Sequence, residues 1–222
     1  LPLSPQYSTT TTASSIKDWQ QAAKRAGLAA QTSAVCCYAT NDDFIAAHVR
    51  RARKVLSEVS GPRRVLFSAH GLPKKFILAG DPYQGQIERA ASAIAKGLGL
   101  GVGEWVVCYQ SRVGRLEWIG PSLDQALGDV ARDSRAAVII PISFVSEHSE
   151  TLVELDIEYR KIAEDLGITQ YARVPTLSTD KTFIESLAKL ANKAMGRRGI
   201  CPPDGKRACP INAVGCACAG RS

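Results

Sequence analysis

The 222-residue chain is 45% hydrophobic and 22% charged, which is typical of a globular protein with one sizeable core or two smaller ones. Its net charge is +7, but the basic residues are scattered and no nucleic-acid-binding motif accompanies them. No apolar run approaches the roughly 20 residues of a membrane helix and no signal peptide is visible, so we expect a soluble or peripheral protein.

The chain begins without methionine, since the only one is Met195, and we interpret it as the carboxyl-terminal part of a longer protein. A polar loop over residues 1–15 precedes a helix that starts near Ile16. The predicted strands that follow are 34–38, 65–68, 105–109, 136–141 and 171–174. Helices are predicted over 42–59, 82–97, 122–132 and 181–195, and also after His148. This alternation predicts an α/β fold, with a parallel sheet covered by helices on both faces.

Two histidines follow predicted strands. His70 comes directly after the strand 65–68, and His148 follows the apolar run 136–141, which reads as a buried parallel strand. Because open α/β sheets bind ligands at the carboxyl ends of their strands, both side chains are expected at a ligand site. His48 belongs to no motif and is predicted to be a surface helix residue.

The segment after His148 carries an unusual column of carboxylates. Leu152, Leu155 and Tyr159 recur at helical spacing, while Glu150, Glu154 and Glu158 fall four residues apart and would project together. One interpretation is a solvated helix face that tolerates like-charge repulsion in water. The other is a path for a cation or for protons.

Seven cysteines are distributed unevenly along the chain. Three lie in apolar, strand-like runs, where small buried side chains are expected: Cys36, Cys37 and Cys108. Four lie in a tail rich in Gly and Pro: Cys201, Cys209, Cys216 and Cys218. Because the tail has little apolar surface to bury, it needs a crosslink to be ordered. No secretory signal is visible, so we favour packing or metal binding over disulfides for these thiols. The basic residues between Arg50 and Lys54 are interpreted as a solvated helix face.

Several separate motifs resemble one known family. They are residues 5–8, 66–73, 80–83, 110–114, 118–121 and 144–159, and they occur in the family's order. Together they closely resemble ferrochelatase, the enzyme that inserts ferrous iron into a porphyrin in haem synthesis. The resemblance runs from the first residue to about Met195.

This resemblance implies two similar Rossmann-like halves with a porphyrin cleft between them. Residues 1–31 would be a remnant of the first half, residues 32–196 the second Rossmann-like chelatase half, and residues 197–222 a Cys-rich extension. We also expect a cytoplasmic enzyme, and the sequence leaves open whether it is peripheral at the inner membrane and whether it forms a homodimer. The porphyrin would be protoporphyrin IX or coproporphyrin III.

The resemblance also assigns site residues. His70 and Glu150 would be catalytic and would face each other across the porphyrin. The implied substrate-binding residues are Ser8, Trp118, Phe144 and His148. The implied iron-binding residues are His70, Glu150, Glu154 and Glu158. Since a porphyrin must lose two pyrrole protons, an imidazole is a suitable acceptor, and we favour His70 as the base, although the sequence leaves the roles of His70 and Glu150 open.

Some ferrochelatases carry a two-iron two-sulfur cluster held by cysteines, three of them near the carboxyl terminus. The four tail thiols Cys201, Cys209, Cys216 and Cys218 meet the required number, although their spacing departs from the animal pattern and Thr9 stands at the animal enzyme's upstream ligand position. Zinc or an oxidised tail are the alternatives. For the protein as a whole, the competing hypotheses are a chelatase for another tetrapyrrole with cobalt or nickel, and a non-catalytic fragment that binds haem or porphyrin.

Overall fold

A computed structural model describes residues 1–203 and 205–219. Its strands are β1 (Ser33–Val35), β2 (Arg63–His70), β3 (Trp105–Gln110), β4 (Ala136–Pro141), β5 (Tyr171–Arg173) and β6 (Gly199–Cys201). Its α-helices are α1 (Thr12–Arg25), α2 (Asp42–Glu58), α3 (Lys74–Leu78), α4 (Tyr83–Leu98), α5 (Leu123–Arg132), α6 (Tyr159–Asp165) and α7 (Lys181–Ala194). A π-helix spans Glu150–Glu158. The short helix α3 was not predicted.

The main sheet has the strand order β3-β2-β4-β5, and all of its pairs are parallel. Side chains alternate across the sheet because successive residues of a strand point to opposite faces. On β2, Val65 and Phe67 pack with helices α2 and α4, whereas Leu66 packs with α5 and the π-helix. The fold is therefore α/β, with a parallel sheet covered on both faces, as predicted.

The first predicted strand does not belong to this sheet. Strand β1 ends at Val35 and, within the described part of the chain, pairs only with β6, in parallel, with Val35 opposite Cys201. The prediction failed because a short apolar run does not specify its partner, and here that partner comes from the tail. Residues 199–201 are therefore hydrogen-bonded to the body of the protein through β1.

The segment with the glutamate column is a π-helix and not the predicted α-helix. Thr151, Leu155 and Tyr159 are buried, whereas Leu152 is 48% exposed, so the predicted apolar contribution of Leu152 is wrong. A π-helix has a wider turn than an α-helix, and residues four apart remain on roughly the same face in both. The buried face consequently shifts to the four-residue series 151, 155 and 159.

One prediction about helix α2 is wrong, that of a surface position for His48, whereas Arg50, Arg53 and Lys54 are exposed as predicted. His48 is only 1% exposed, and its ring packs edge-on against Phe44 with the ring centroids 4.7 Å apart. Arg50 pairs with Asp180 at 2.6 Å, and Arg51 donates to the carbonyl of Leu177, so these side chains attach α2 to the start of α7. Among the described residues, no helix is long and apolar enough to cross a membrane.

Candidate active site

A pocket lies at the carboxyl ends of strands β2 and β4. The two ends are joined because the amide of Ile142 donates to Ser68 and the amide of His70 donates to the Ser143 hydroxyl at 3.1 Å. The cavity has a volume of about 500 Å³. Six residues predicted for the site line it: Ser8, His70, Trp118, Phe144, His148 and Glu150. Much of the remaining wall is apolar, from Leu3, Leu72, Pro73, Phe76 and Val145.

His70 and Glu150 are in direct contact in this pocket. Nε2 of His70 lies 3.4 Å from Oε1 of Glu150, and their side chains are 41% and 37% exposed. A flat ligand cannot pass between groups this close, so the predicted arrangement across a porphyrin is wrong. The His70 imidazole and the Glu150 carboxylate instead lie next to each other on one side of the pocket.

The hydrogen bonds of the two histidines fix opposite tautomers for their neutral rings. His70 Nδ1 lies 2.7 Å from the Gly71 carbonyl oxygen, which can only accept, so Nδ1 carries the proton of the neutral ring and Nε2, beside Glu150, is the site that takes up a second proton. His148 Nδ1 accepts from the Glu150 backbone N–H at 3.1 Å, so its Nε2 carries the proton. The pocket therefore contains one imidazole acceptor beside Glu150 and one imidazole donor.

His148 is held in place by its neighbours. Its ring meets Phe144 edge-on at a centroid distance of 4.9 Å, and its backbone N–H donates to the Thr151 hydroxyl at 3.0 Å. Thr151 is fully buried on the inner face of the π-helix. The first turn of the π-helix thus fixes the imidazole that precedes it.

Glu154 does not line the pocket with Glu150. Its carboxylate accepts hydrogen bonds from Gln110 Nε2 at 2.9 Å, from the backbone N–H of Ser111 at 2.7 Å and from the Ser111 hydroxyl. Gln110 Nε2 also donates to the Glu150 carbonyl. Glu158 is exposed. The column of glutamates therefore runs from the pocket, past the end of β3, to solvent. Among the described residues, no three His, Cys, Asp or Glu side chains form a metal-binding group.

Asp81 ties the first residues of the chain to the pocket wall. Its carboxylate accepts from the Ser8 hydroxyl at 2.9 Å, from the N–H and hydroxyl of Thr9 at 2.7 and 2.6 Å, and from the Tyr83 N–H at 2.9 Å. The residue is only 6% exposed. No role was predicted for it, although the motif 80–83 offered a signal, since an Asp between Gly and Pro commonly accepts from nearby backbone amides.

The tail cysteines pack beneath the same segment. Cys36, Cys37, Cys209, Cys216 and Cys218 form one buried cluster around Tyr7. A side-chain hydrogen bond between Cys36 and Cys218 lowers the pKa of the Cys36 thiol. Contact with Cys37 and burial outweigh this bond, so the pKa of Cys36 is raised overall. Cys209 likewise pairs with Cys216.

Cys201 is separate from this group. It lies in β6, and its thiol faces the Gly199 carbonyl at 3.5 Å. The structure therefore brings together three of the four predicted cluster ligands and adds Cys36 and Cys37, which sequence reasoning assigned to packing alone.

Comparison with known proteins gives a consistent result. A family model described as Ferrochelatase matches residues 1–195. A ferrochelatase of Pelagibacter ubique is 42% identical over 98% of this chain, one of Caulobacter vibrioides is 50% identical over 89%, and one of Wolbachia is 51% identical over 86%. The chain covers 63%, 56% and 60% of these relatives, so it spans about three fifths of their length.

A solved structure shares the fold. SirB from Bacillus subtilis, determined with Fe³⁺, superposes with a TM-score of 0.60 over 88% of this chain and 70% of SirB. Only 14% of the aligned residues are identical, so this likeness concerns the fold alone. Since the family model matches well over half of the chain, the chain belongs to the ferrochelatase family.

Proposed function

We propose that the protein inserts ferrous iron into a porphyrin, protoporphyrin IX or coproporphyrin III, in haem biosynthesis. The observation that carries the proposal is the contact between His70 Nε2 and Glu150 Oε1 inside a largely apolar pocket. An apolar wall suits the faces of a tetrapyrrole, and the two polar groups converge at one place on it. Family membership supports the same reaction.

In this reaction two pyrrole N–H protons leave as one ferrous ion enters. His70 is the better first acceptor, because its Nδ1–H is held by the Gly71 carbonyl and its Nε2 can take a proton beside the Glu150 carboxylate. The adjacent Glu150 carboxylate stabilises the imidazolium that forms. Glu154 and Glu158 extend the carboxylate series to water and give the protons an exit. His148 presents an N–H, which suits contact with an acceptor on the substrate.

An anaerobic assay of the full-length protein with ferrous iron and porphyrin tests this proposal. We expect His70→Ala and Glu150→Gln each to lower kcat by about 100-fold or more, as is common for a general base or a stabilising charge. The matched control is Glu164→Gln, because Glu164 is exposed on α6. Unimpaired insertion by both site variants contradicts the assignment. Preferential insertion of cobalt or nickel, or porphyrin binding without insertion, identifies one of the two alternative functions.

We also propose that four thiols hold a two-iron two-sulfur cluster. Such a cluster takes four thiolates, two for each iron. The contacts between Cys36 and Cys218 and between Cys209 and Cys216 bring two pairs of thiols into one buried group, and the two pairs would have to approach each other to hold a cluster, since no three of these side chains form a metal-binding group as they lie. We therefore replace Cys201 by Cys36 in the predicted ligand set. When bound, the cluster would supply a covalent crosslink between the tail and the body.

Spectra of freshly purified protein test the ligand set. We expect visible absorbance with bound iron and sulfide in the wild-type protein and in Cys201→Ser. The same signals should be lost in Cys36→Ser and Cys209→Ser. Retention in Cys36→Ser together with loss in Cys201→Ser contradicts the revised set and favours the original one.

The mouth of the pocket supports peripheral association with an anionic membrane. Helix α3 and the loop 111–118 lie side by side, since the Lys74 N–H donates to the Glu117 carbonyl at 2.8 Å. Their outward residues combine large exposed apolar side chains with positive charges: Leu78, Val113, Leu116, Lys75, Arg112 and Arg115. This combination is the one that adsorbs to anionic headgroups.

Vesicle flotation tests this surface. We expect the protein to float with phosphatidylglycerol-containing vesicles and not with pure phosphatidylcholine, and Leu78→Ser with Val113→Ser to reduce the bound fraction several-fold. The control is Ile211→Ser, which removes an exposed apolar side chain from the tail. Equal flotation of both variants contradicts the proposal. The division into 1–31, 32–196 and 197–222 and the homodimer stay predictions.

A further inference from the structure

The π-helix needs a source of stability outside itself. π-helical turns are rare and are usually single turns inside α-helices, yet here the π-helical hydrogen-bond pattern spans nine residues, Glu150–Glu158. Its outward face gives little packing, since Leu152, Val153 and Ile157 are 48%, 44% and 61% exposed. Contacts at its ends are therefore the candidates for what keeps its turns wide.

Arg173 contacts a carboxylate on each side of the segment 148–155. Its Nε and Nη2 donate to Asp156 Oδ1 and Oδ2 at 2.7 and 2.6 Å. Its Nη1 donates to both carboxylate oxygens of Glu147, at 3.0 and 3.1 Å. The arginine side chain is 8% exposed. One planar guanidinium thus fixes the distance between residues 147 and 156.

The guanidinium is itself anchored in the sheet. Arg173 is the last residue of β5 and lies opposite Ile139 of the central strand β4. Glu147 is held from a second direction, because its Oε1 accepts from the Thr176 N–H at 2.9 Å. Burial tends to raise the pKa of Glu147, but hydrogen bonds from Thr151, Thr176 and Arg173 outweigh it and lower the pKa, so the carboxylate stays charged.

We propose that Arg173 is a positioning residue, which keeps the π-helix Glu150–Glu158 in its π form and thereby keeps Glu150 against His70. Each residue that reverts from the π to the α form changes the angle between the side chains on its two sides by roughly 20°, so Glu150 turns relative to Leu155 and Tyr159, which are packed in the core. A change of this size over a few residues is enough to separate Glu150 from His70. The kinetic consequence rests on the proposed function, whereas the structural one does not.

Arg173→Lys is the informative variant, since lysine keeps the charge but cannot form a planar fork to two carboxylates. Arg64→Lys is the matched control, because Arg64 is a sheet arginine paired with Asp133 at 2.7 Å, near the opposite end of β2. The first readout is amide hydrogen exchange of the full-length protein. We expect exchange in residues 147–158 to rise by about tenfold or more in Arg173→Lys, with helices α2 and α4 unchanged. Unchanged exchange in that segment overturns the proposal, whether or not the protein is active.

The second readout is iron insertion. We expect kcat of Arg173→Lys to fall by about 100-fold with KM for porphyrin within about threefold, because the pocket wall is intact and only the carboxylate is misplaced. Its pH–rate profile should move toward that of Glu150→Gln. An inactive wild-type protein refutes the proposed function and leaves the exchange result as the test of Arg173. An active wild-type protein with an unaltered Arg173→Lys profile overturns the positioning role.

Discussion

The side-chain amide of Gln86 donates a hydrogen bond to the sulfur of Cys209 over 3.2 Å. Its carbonyl oxygen accepts from the backbone N–H of Tyr7 at 2.9 Å, which fixes the orientation of the amide. Gln86 is 2% exposed. A single buried side chain thus joins the thiol cluster to the segment that places Ser8 in the pocket wall.

Replacing Gln86 by Met should destabilise the protein by about 1–3 kcal/mol, because the buried N–H of Tyr7 then lacks an acceptor. The measurement is the free energy of unfolding in urea. Gln84→Met is the control, since Gln84 is half-buried and its amide donates to the exposed Glu88. If Gln86→Met lowers the free energy of unfolding no more than Gln84→Met does, the bridging role of Gln86 is contradicted.

Asp81→Asn should cost about 2–4 kcal/mol, because an amide cannot accept all the hydrogen bonds that the buried carboxylate receives and turns a donor toward other donors. The wild-type Oδ2 alone accepts from Ser8, from the Thr9 N–H and from the Thr9 hydroxyl. Chemical denaturation measures the cost. Asp165→Asn removes a carboxylate that is exposed and pairs with Lys161, so its effect should stay below about 0.5 kcal/mol. Equal effects of the two changes would argue against the buried network.

His48→Leu should stabilise the protein by about 1 kcal/mol at pH 7, since neither ring nitrogen has a hydrogen-bond partner among the described residues. Burial and nearby Arg51 lower the His48 pKa to about 3, against a smaller opposing effect of Asp180. Between pH 6.5 and pH 3 the unfolded chain therefore binds a proton that the folded chain does not, and wild-type stability falls as the pH falls.

The leucine variant lacks this loss. The difference in free energy of unfolding between His48→Leu and the wild-type protein should therefore increase by about 2 kcal/mol between pH 7 and pH 5, at 1.36 kcal/mol for each pH unit below 6.5. Urea unfolding at both pH values gives the difference, and Glu58→Gln, on the same helix, is the control. A constant advantage at both pH values contradicts the buried neutral state.

The neutral tautomers of His70 and His148 should differ. Nitrogen-15 NMR at about pH 8 should show the proton of His70 on Nδ1 and that of His148 on Nε2, because the first faces a carbonyl and the second a backbone N–H. His70→Ala and His148→Ala assign the two signals. Identical tautomers would remove the structural reason for choosing His70 as the acceptor.

The sequence predicted the main sheet well, because alternating strands such as 65–68 and 136–141 carry strong apolar runs between helices. Six of the side chains that it singled out line the pocket, whereas Glu154 and Glu158 do not. It failed for the π-helix, since residues four apart share a face in both helical forms, so the spacing of Glu150 and Glu154 cannot distinguish them. The roles of Arg173, Gln86 and Cys36 depend on contacts between residues far apart in sequence, which periodicity does not report.

The pairing of β6 with β1 bears on how the protein can be shortened. The family match ends at residue 195, which makes that position an attractive stop for recombinant expression. Ending there would strip Ser33–Val35 of its partner strand and leave unsatisfied amide and carbonyl groups along a bare edge. Such an edge recruits other chains, so the trimmed protein should precipitate or form soluble aggregates, whereas one ending after residue 219 should remain monodisperse.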